Sequence, residues 1–202
     1  IATIAALVLL ASSQAVVELI NWFATMFTRP HLLPRLDYSH GIPKQARTLV
    51  VVPTFLLSPK NIDELIEAME VRFLANRDDN LYFGLLTDFR DAHEETLPDD
   101  EGLLQQARQR IEALNAKYRD KHAFFLFHRP RRWNAAEDLW MGYERKRGKL
   151  AELNSLLRGG RAPGFSLIVG QTALLDHIKY VITLDTDTHL PRDSARQFVG
   201  TM

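Results

Sequence analysis

The sequence contains no cysteine, no excess of charge of either sign and no low-complexity tract. Without cysteine there is no disulfide scaffold, no thiolate nucleophile and no cysteine-ligated zinc site. The 25 basic residues balance the 25 acidic residues, which argues against a nucleic-acid-binding protein, because such proteins usually carry a large basic excess. Of the 202 residues, 46% are hydrophobic and 25% are charged. This composition is typical of a globular protein that is long enough to bury a core.

The first part of the chain has almost no charge. Residues 1–17 carry no charged side chain, and Glu18 interrupts the apolar run before three aromatic residues. Its polar residues recur on one helical stripe, as in a membrane helix that turns this stripe toward neighbouring helices. Basic residues follow from Arg29 onward, and they predict that the downstream chain lies in the cytoplasm. We therefore expect a transmembrane helix or a membrane-interface helix over residues 1–28; the alternative is an amphipathic helix on a soluble core.

The next segment, residues 29–47, has a different character. It contains three prolines and a glycine, which interrupt any long helix. We interpret it as a linker that leaves the membrane and enters a folded domain.

Beyond this segment, short apolar runs alternate with helical periodicities. Four buried strands are predicted, over residues 48–53, 80–87, 122–127 and 179–184. Apolar helical faces lie between them, over residues 62–73, 103–118 and 150–157. Strands that alternate with helices indicate an α/β fold with a mainly parallel sheet and flanking helices.

Two segments of opposite charge follow the predicted strands. Residues 88–101 hold seven acidic residues and one basic residue, whereas residues 129–149 hold seven basic and three acidic residues. Most such runs are solvated faces. Because ligands of open α/β sheets bind at the carboxyl ends of strands, these two segments are also candidates for a ligand site.

Two carboxylates follow the last predicted strand, Asp185 and Asp187. Divalent cations such as Mg²⁺ prefer oxygen ligands, and a carboxylate pair at a strand end can hold such a cation against a diphosphate. One enzyme class with this pattern is the nucleotide-sugar glycosyltransferases. Another is the haloacid dehalogenase type of phosphatase, with Asp185 as nucleophile, although His189 is unusual at the fifth position of that motif. A third alternative is a non-catalytic, membrane-tethered nucleotide-binding domain in which the carboxylates are structural.

Other residues are weaker candidates. Lys149 follows Gly148 at the start of a short helix, where a basic side chain and backbone N–H groups can bind diphosphate oxygens. Asp88 ends the second predicted strand and is a candidate acceptor for a base or ribose donor. Trp133 and Trp140 could stack on a sugar or base, or pack within a loop. The histidines show no metal-ligand spacing.

Longer stretches of the sequence resemble a known family. The segments RTLVVVPT, WMGYERKRGKLAELNSLLRG and YVITLDTDTHLPRDSARQFVG are similar to the glycosyltransferase region of cyclic β-1,2-glucan synthases. The resemblance covers nearly the whole chain. It implies a GT-A fold of the family-2-like type, with residues 48–202 as the N-terminal, donor-binding part of that domain.

The resemblance also implies roles for individual residues. Asp185 and Asp187 would hold Mg²⁺ or Mn²⁺ against the diphosphate of UDP-glucose, and Asp185 would also contact the substrate. Four further residues would form the nucleotide pocket: Pro53, Thr54, Asp88 and Lys149. Of these, Asp88 would lie near the uracil and Lys149 near the phosphates. Phe55 and the residues after it lack the acidic side chain that many family-2 enzymes have there.

The expected reaction is transfer of glucose from UDP-glucose to a growing β-glucan, with inversion to a β-linkage. The resemblance places the catalytic base beyond Met202, within the remainder of a larger polypeptide. It also implies a location at the bacterial inner membrane, with the glycosyltransferase part facing the cytoplasm.

Overall fold

The computed structural model describes residues 2–28, 34–119, 123–160 and 164–202. The chain divides into two compact units, Ile1–Pro34 and Arg35–Met202. Each unit is described by itself.

In the first unit, the described residues contain one helix, α1 (Ala2–Phe27). A helix is therefore present where the sequence predicts one. Within the described part of the chain, however, no helix combines the length and the apolar character needed to cross a membrane, so the predicted transmembrane helix is not supported.

The second unit is an α/β domain in which the described residues form seven strands and four helices. The strands are β1 (Thr48–Leu56), β2 (Leu81–Phe89), β3 (Phe124–Arg129), β4 (Arg132–Asn134), β5 (Leu139–Met141), β6 (Leu167–Val169) and β7 (Tyr180–Thr183). The helices are α2 (Pro59–Ala75), α3 (Asp100–Lys117), α4 (Arg145–Leu157) and α5 (Ser194–Thr201). Two 3₁₀ turns, Lys44–Ala46 and Thr172–His177, complete the unit.

Five strands form one sheet in the order β6-β3-β2-β1-β7. All neighbours pair in parallel except β6, which is antiparallel to β3. The four predicted strands correspond to β1, β2, β3 and β7, and the mainly parallel sheet is confirmed. The start of the third predicted strand, at residue 122, lies outside the described residues. Strands β4 and β5 form a separate hairpin in a stretch that the sequence suggested was a loop.

The side chains of the sheet alternate between two apolar layers. Val50 and Val52 of β1 face a core formed with α2 and α3, whereas Leu49 and Val51 face a second core with α4 and the Thr172–His177 turn. The β-branched run of β1 is fully buried because β1 lies between β2 and β7, with helical segments packed on both faces of the sheet. This arrangement fits the expected GT-A-like fold.

The predicted linker is partly folded into the second unit. Residues 29–33 lie outside the described residues. Downstream of them, Ile42 and Ala46 are buried in the main core, and the Leu36 N–H donates to the Gly200 carbonyl at 2.8 Å. The domain therefore begins about a dozen residues before the expected boundary at residue 48, because this segment covers apolar surface at the end of the sheet.

Strands are added to the sheet on one side of β1 first and on its other side later. From β1 the chain passes through α2 to β2 on one side, whereas β7 pairs with β1 on the other side. In open α/β sheets, the crevice at the carboxyl ends of the strands where the order reverses is the usual place for a ligand. The segments that follow β1 and β7 meet at this place.

Candidate functional site at the carboxyl edge of the sheet

The two carboxylates predicted to bind a metal lie in the loop after β7. The Leu184 N–H donates to the Val51 carbonyl at 3.0 Å, so the loop leaves the sheet directly beside β1. The Thr188 N–H donates to the Asp185 carbonyl at 3.1 Å and closes a turn. Both Asp185 and Asp187 are exposed. The structure therefore presents this carboxylate pair to solvent at the reversal point of the sheet.

Space is available beside Asp187. A cavity of about 530 Å³ lies between α2 and the loop, and Asp187 lines it together with Glu64 and His189. The buried Arg72 of α2 also reaches this cavity and donates to backbone carbonyls of the loop. Burial lowers the pKa of the Arg72 guanidinium. Helix α2 thus forms one wall of the cavity and holds the loop that carries Asp187.

Asp185 has a basic neighbour on α4. The Lys146 ammonium contacts the Asp185 carboxylate, and the two side chains are 51% and 63% exposed. Ion pairs with this degree of exposure contribute little to stability, because water and salt screen them. Lys146 therefore places a positive charge against Asp185 while both side chains remain open to water.

A second group of charges lies on the other side of β1 and is buried. Asp88, at the carboxyl end of β2, accepts from Arg129 Nε at 2.8 Å and from Arg129 Nη2 at 3.0 Å. Lys149 Nζ lies 3.0 Å from Asp88 Oδ2 and donates to the Thr54 carbonyl at 2.7 Å. Asp88, Arg129 and Lys149, which we call the buried charge cluster, are each at most 2% exposed.

The pKa values of this cluster reflect burial and pairing. Burial lowers the pKa of the Lys149 ammonium, and the charge of Asp88 offsets part of that effect. Burial also acts to lower the pKa of Arg129, but its bonds and attraction to Asp88, with a contribution from Glu152, outweigh this and raise it. Buried charges are tolerated when they are paired and hydrogen-bonded. The cluster satisfies both conditions.

Arg129 also holds the start of α4. It donates to the carbonyl oxygens of Tyr143 at 3.2 Å and of Arg145 at 3.3 Å. Glu144 and Arg145 both have positive φ angles, 52° and 48°, a conformation that costs free energy for residues other than glycine. The bonds from Arg129 stabilise this turn, and the turn places Lys146 beside Asp185.

The acidic and basic segments identified in the sequence pair with each other. Arg131 binds the Asp100 carboxylate, with Nη2 at 3.1 Å from Oδ1, and Arg145 Nη1 lies 2.8 Å from Asp91 Oδ2. Together with the pair in the buried charge cluster, these contacts tie the chain after β2 to the chain after β3. The charge asymmetry is therefore largely internal to the fold.

His128 lies next to the buried charge cluster. Its Nδ1 is 2.9 Å from the Thr87 hydroxyl, and its ring packs edge-on against Phe89. The side chain is fully buried, and burial lowers its pKa to about 4, against smaller opposing contributions from Asp88 and Asp100. His128 is consequently neutral at pH 7.

The two tryptophans of the basic segment face each other on the β4–β5 hairpin. Trp133 pairs with Trp140 across the hairpin, with ring centroids 5.8 Å apart in an edge-on arrangement. Trp140 also exchanges backbone hydrogen bonds with Ala92 at 2.9 and 2.8 Å. The hairpin is thus attached to the segment that follows β2, and Trp133 remains 47% exposed.

The predicted site residues therefore form two groups. Thr54, Asp88 and Lys149 meet in and around the buried charge cluster, to which Thr54 contributes its backbone carbonyl. Asp185 and Asp187 lie apart from them, beyond β1. Helix α4 connects the groups, since Lys149 belongs to the first and Lys146, one turn earlier, contacts the second.

The donor set at the loop limits which metal arrangement fits. Across residues 2–28, 34–119, 123–160 and 164–202, no group of three or more His, Cys, Asp or Glu side chains is arranged to hold a metal ion. Asp185 and Asp187 supply two carboxylates. Carboxylate oxygens are the ligand type that a hard cation such as Mg²⁺ or Mn²⁺ prefers, and such a cation would take its remaining ligands from substrate oxygens and water.

Comparison with known proteins decides the relationship of the chain. No protein-family model matches it. Over 193 residues it is 44% identical to the cyclic β-(1,2)-glucan synthase NdvB of Rhizobium meliloti (strain 1021). This chain is related to a segment of a cyclic β-(1,2)-glucan synthase. The match covers 95% of the chain but only 7% of NdvB, so the chain corresponds to one small segment of that synthase.

Three side chains that shape the candidate site were not predicted from the sequence: Arg72, Lys146 and Arg129. Arg72 lies three residues after Met69 on the apolar face of α2, and a charged residue in that position is a signal of a buried contact. Lys146 lies among other basic residues, so the sequence gives no signal that distinguishes it from its neighbours. Arg129 belongs to the basic segment, and no local pattern identifies its partner, because Asp88 is 41 residues away in the chain.

Proposed function

We propose that this chain binds the nucleotide-sugar donor, UDP-glucose, for a glucosyltransferase that extends a β-glucan chain. The observation that carries the proposal is the exposed pair Asp185 and Asp187 at the reversal point of the sheet, in a segment related to a glucan synthase. The cyclic β-1,2-linked product is proposed from that relationship alone.

Asp185 and Asp187 would hold Mg²⁺ or Mn²⁺ together with the two phosphates of the donor. When bound, such an ion neutralises negative charge that develops on the departing diphosphate. Lys146 supports this role because its ammonium already lies against Asp185. In the complex the Lys146 ammonium would be available to the phosphate oxygens, which are negatively charged acceptors like the Asp185 carboxylate.

The wall of the nucleotide pocket would be formed by the end of β1. Pro53 is half-buried and Thr54 is buried at the strand end, next to the loop after β7. We propose that Asp88 and Lys149 act beside this wall, near the uracil and the phosphates. Their mutual pairing and the bond from Lys149 to the Thr54 carbonyl suit them to fix the shape of the pocket.

In the proposed reaction, a hydroxyl of the glucan acceptor attacks the anomeric carbon of glucose from the face opposite UDP. The new carbon–oxygen bond forms as the bond to the diphosphate breaks, UDP leaves with the electron pair, and the hydroxyl proton passes to a base. The resemblance assigns that base to a part of the polypeptide other than residues 1–202. The residues of this chain bind the donor and stabilise the charge of the leaving group.

We also propose that the protein acts at the cytoplasmic face of the bacterial inner membrane, with α1 as a membrane-interface helix. In support, three aromatic side chains near the end of α1 are exposed: Trp22, Phe23 and Phe27. Such residues favour the membrane–water interface. We expect the chain to co-float with anionic lipid vesicles. Replacing these three residues by serine should abolish the co-flotation.

Thermal unfolding of the 202-residue chain tests the donor site. UDP-glucose with Mn²⁺ should raise the midpoint, because a ligand at 100 times its Kd stabilises by about 2.7 kcal/mol, and UDP-glucose with a chelator should not. Asp187→Asn should abolish the shift. Asp193→Asn is the matched control, since Asp193 is also a partly exposed carboxylate near the loop.

The same preparation separates the alternatives. Release of phosphate from an aryl phosphate, lost in Asp185→Asn, would identify a phosphatase and contradict the proposal. An absence of any response to UDP-glucose and Mn²⁺, with the chain folded, would also contradict it and favour a structural role for the carboxylates.

A further inference from the structure

The geometry points to Arg72 as a positioning residue that fixes the conformation of the metal-binding loop. This inference deepens the proposed function and rests on it for the identity of the ligand. Arg72 is proposed to act through the backbone of the loop and not by touching the substrate.

The contacts of Arg72 are concentrated on the residues around Asp187. Its Nη2 donates to the Thr186 carbonyl at 2.7 Å and to the Thr188 carbonyl at 3.0 Å. Its Nε donates to the Thr188 carbonyl at 3.2 Å. The two acceptors are the carbonyl groups of the residues immediately before and after Asp187. One guanidinium therefore fixes the backbone on both sides of that residue.

The side chain is suited to this task by shape and by burial. Arg72 is 6% exposed, so these hydrogen bonds are sheltered from competition with water. A guanidinium is planar and offers several N–H donors in a fixed fork. A lysine ammonium at the same place would supply charge but could not hold two carbonyls in a fixed relation.

The residue that directly follows α2, Asn76, anchors the loop further along. Asn76, one helical turn after Arg72, donates from Nδ2 to the Leu190 carbonyl at 3.2 Å and accepts from the Ala195 N–H at 3.1 Å. The segment from Thr186 to Ala195 is therefore attached to this end of the helix at three points: Arg72, Asn76 and the Ala75 carbonyl, which accepts from the Asp193 N–H at 3.1 Å. Only the first of these points adjoins the carboxylates.

The consequence concerns preorganisation. Ion binding by two exposed carboxylates requires that both oxygens already face the same position, since any ordering on binding reduces affinity. Without Arg72, the carbonyls of Thr186 and Thr188 lose their donor and the turn between Asp185 and Thr188 can relax. The sheet, which Arg72 does not bond, should keep its structure.

The test compares three variants of the 202-residue chain with wild type. Arg72→Met removes every donor, and Arg72→Lys keeps the charge without the fork. Arg131→Met is the matched control, because Arg131 is equally buried and also donates to loop carbonyls, those of Arg90 and Glu95, away from Asp187. Two quantities are measured: amide hydrogen exchange by residue, and binding of Mn²⁺ and UDP by titration.

We expect Arg72→Met to accelerate exchange of the Thr188 amide at least about tenfold relative to strand amides such as that of Phe83. The dissociation constant of UDP with Mn²⁺ should rise about 10- to 100-fold, the range seen when partners of metal ligands are removed. Arg72→Lys should show a smaller rise. Arg131→Met, compared at the same distance below its own unfolding midpoint, should bind within about twofold of wild type.

Equal effects of Arg72→Met and Arg131→Met on binding and on Thr188 exchange would overturn the inference, because they would show a general loss of stability. If wild type binds neither Mn²⁺ nor UDP, the proposed function fails, but the exchange measurement still decides whether Arg72 fixes the loop. If Arg72→Met does not fold, Arg72→Lys carries the comparison.

Discussion

Two groups of charged residues lie at the same edge of the sheet, on opposite sides of β1, and they differ in almost every physical respect. The buried charge cluster of Asp88, Arg129 and Lys149 is closed to solvent, and its charges are paired with each other. Asp185 and Asp187 are exposed, and Lys146 is the basic partner that contacts Asp185. One group is an internal part of the fold, and the other is open to a ligand.

The comparison shows how one sequence feature can have two uses. Charged residues at strand ends are candidates for ligand binding, but ion pairing and burial decide which of them remain available to a ligand. The buried charge cluster holds the start of α4 and thereby places Lys146 against Asp185. Stability of the buried group is thus a condition for the geometry of the exposed group.

The largest effect is expected from Asp88→Asn, which removes the only acid of the buried charge cluster. Arg129 and Lys149 would then be two buried cations without their shared carboxylate, and breaking such a buried pair costs about 3–5 kcal/mol. The free energy of unfolding, measured by urea denaturation, should fall by that amount.

The control for this variant is Asp185→Asn, whose side chain is 63% exposed. Its free energy of unfolding should change by less than about 0.5 kcal/mol. Similar losses in the two variants would remove the distinction between the buried and the exposed group.

The next largest effect is on pH dependence, through His128. Its pKa of about 4 in the folded state lies below the value of 6.5 expected on unfolding, so the unfolded chain binds the additional proton as the pH falls. Full stability is present above pH 6.5 and is lost through the window from 6.5 down to 4. Between pH 7 and pH 4.5 the contribution is about 2–3 kcal/mol.

This contribution should be absent from His128→Gln, whatever the stability of that variant at pH 7. Urea denaturation of both proteins at several pH values gives the two slopes. Parallel curves for wild type and variant would show that His128 is not held neutral by burial.

A smaller effect is expected from Gly142→Ala, which tests how tightly the buried charge cluster is packed. A Cβ at this position would lie 2.3 Å from Asp88 Oδ2, and Asp88 cannot move freely because Arg129 binds both of its oxygens. Overpacking of this kind costs about 1–3 kcal/mol.

Gly102 of α3 provides the opposite case, since a Cβ there meets nothing within 4 Å. Gly102→Ala should stabilise the protein by about 0.5–1 kcal/mol through helix propensity. Urea denaturation of the two variants should therefore give changes of opposite sign, and a neutral Gly142→Ala would contradict tight packing around Asp88.

The smallest effect on stability is expected from Lys146→Gln, which acts only on the exposed group. The free energy of unfolding should change by less than about 0.5 kcal/mol, because the pair with Asp185 is exposed. Affinity for Mn²⁺ alone should rise about two- to threefold as the competing ammonium is lost. Arg147→Gln is the control, since Arg147 pairs with Glu144 and not with Asp185, and an equal rise in both variants would point to a general charge effect.

The main elements of the fold were predictable from the sequence, whereas the shorter ones were not. Long buried runs such as β1 and the apolar faces of α2 and α3 give strong periodic signals. Strands β4, β5 and β6 have three residues each, which is too short for a pattern, and β6 pairs with β3, which is distant in the chain. The helix α1 was predicted, but its ability to span a membrane was not supported.

The candidate site divides in the same way. The carboxylate pair was recognisable because Asp185 and Asp187 directly follow an apolar strand. The contact from Arg72 joins residues 114 and 116 positions apart, and the pair of Asp88 and Arg129 joins two strands across 41 positions. Local patterns carry no information about such pairs, so the sequence could not show that Asp88 and Lys149 are buried against each other.

The central claim is that the exposed carboxylates, and not the buried ones, bind the ligand. Calorimetric titration of UDP-glucose into the 202-residue chain, with Mn²⁺ and with a chelator, tests it most directly in wild type and Asp187→Asn. We predict binding that requires Mn²⁺ in wild type and is weakened at least about 100-fold in Asp187→Asn, with an unchanged free energy of unfolding. Binding that persists in the chelator, or that Asp187→Asn leaves intact, would contradict the claim.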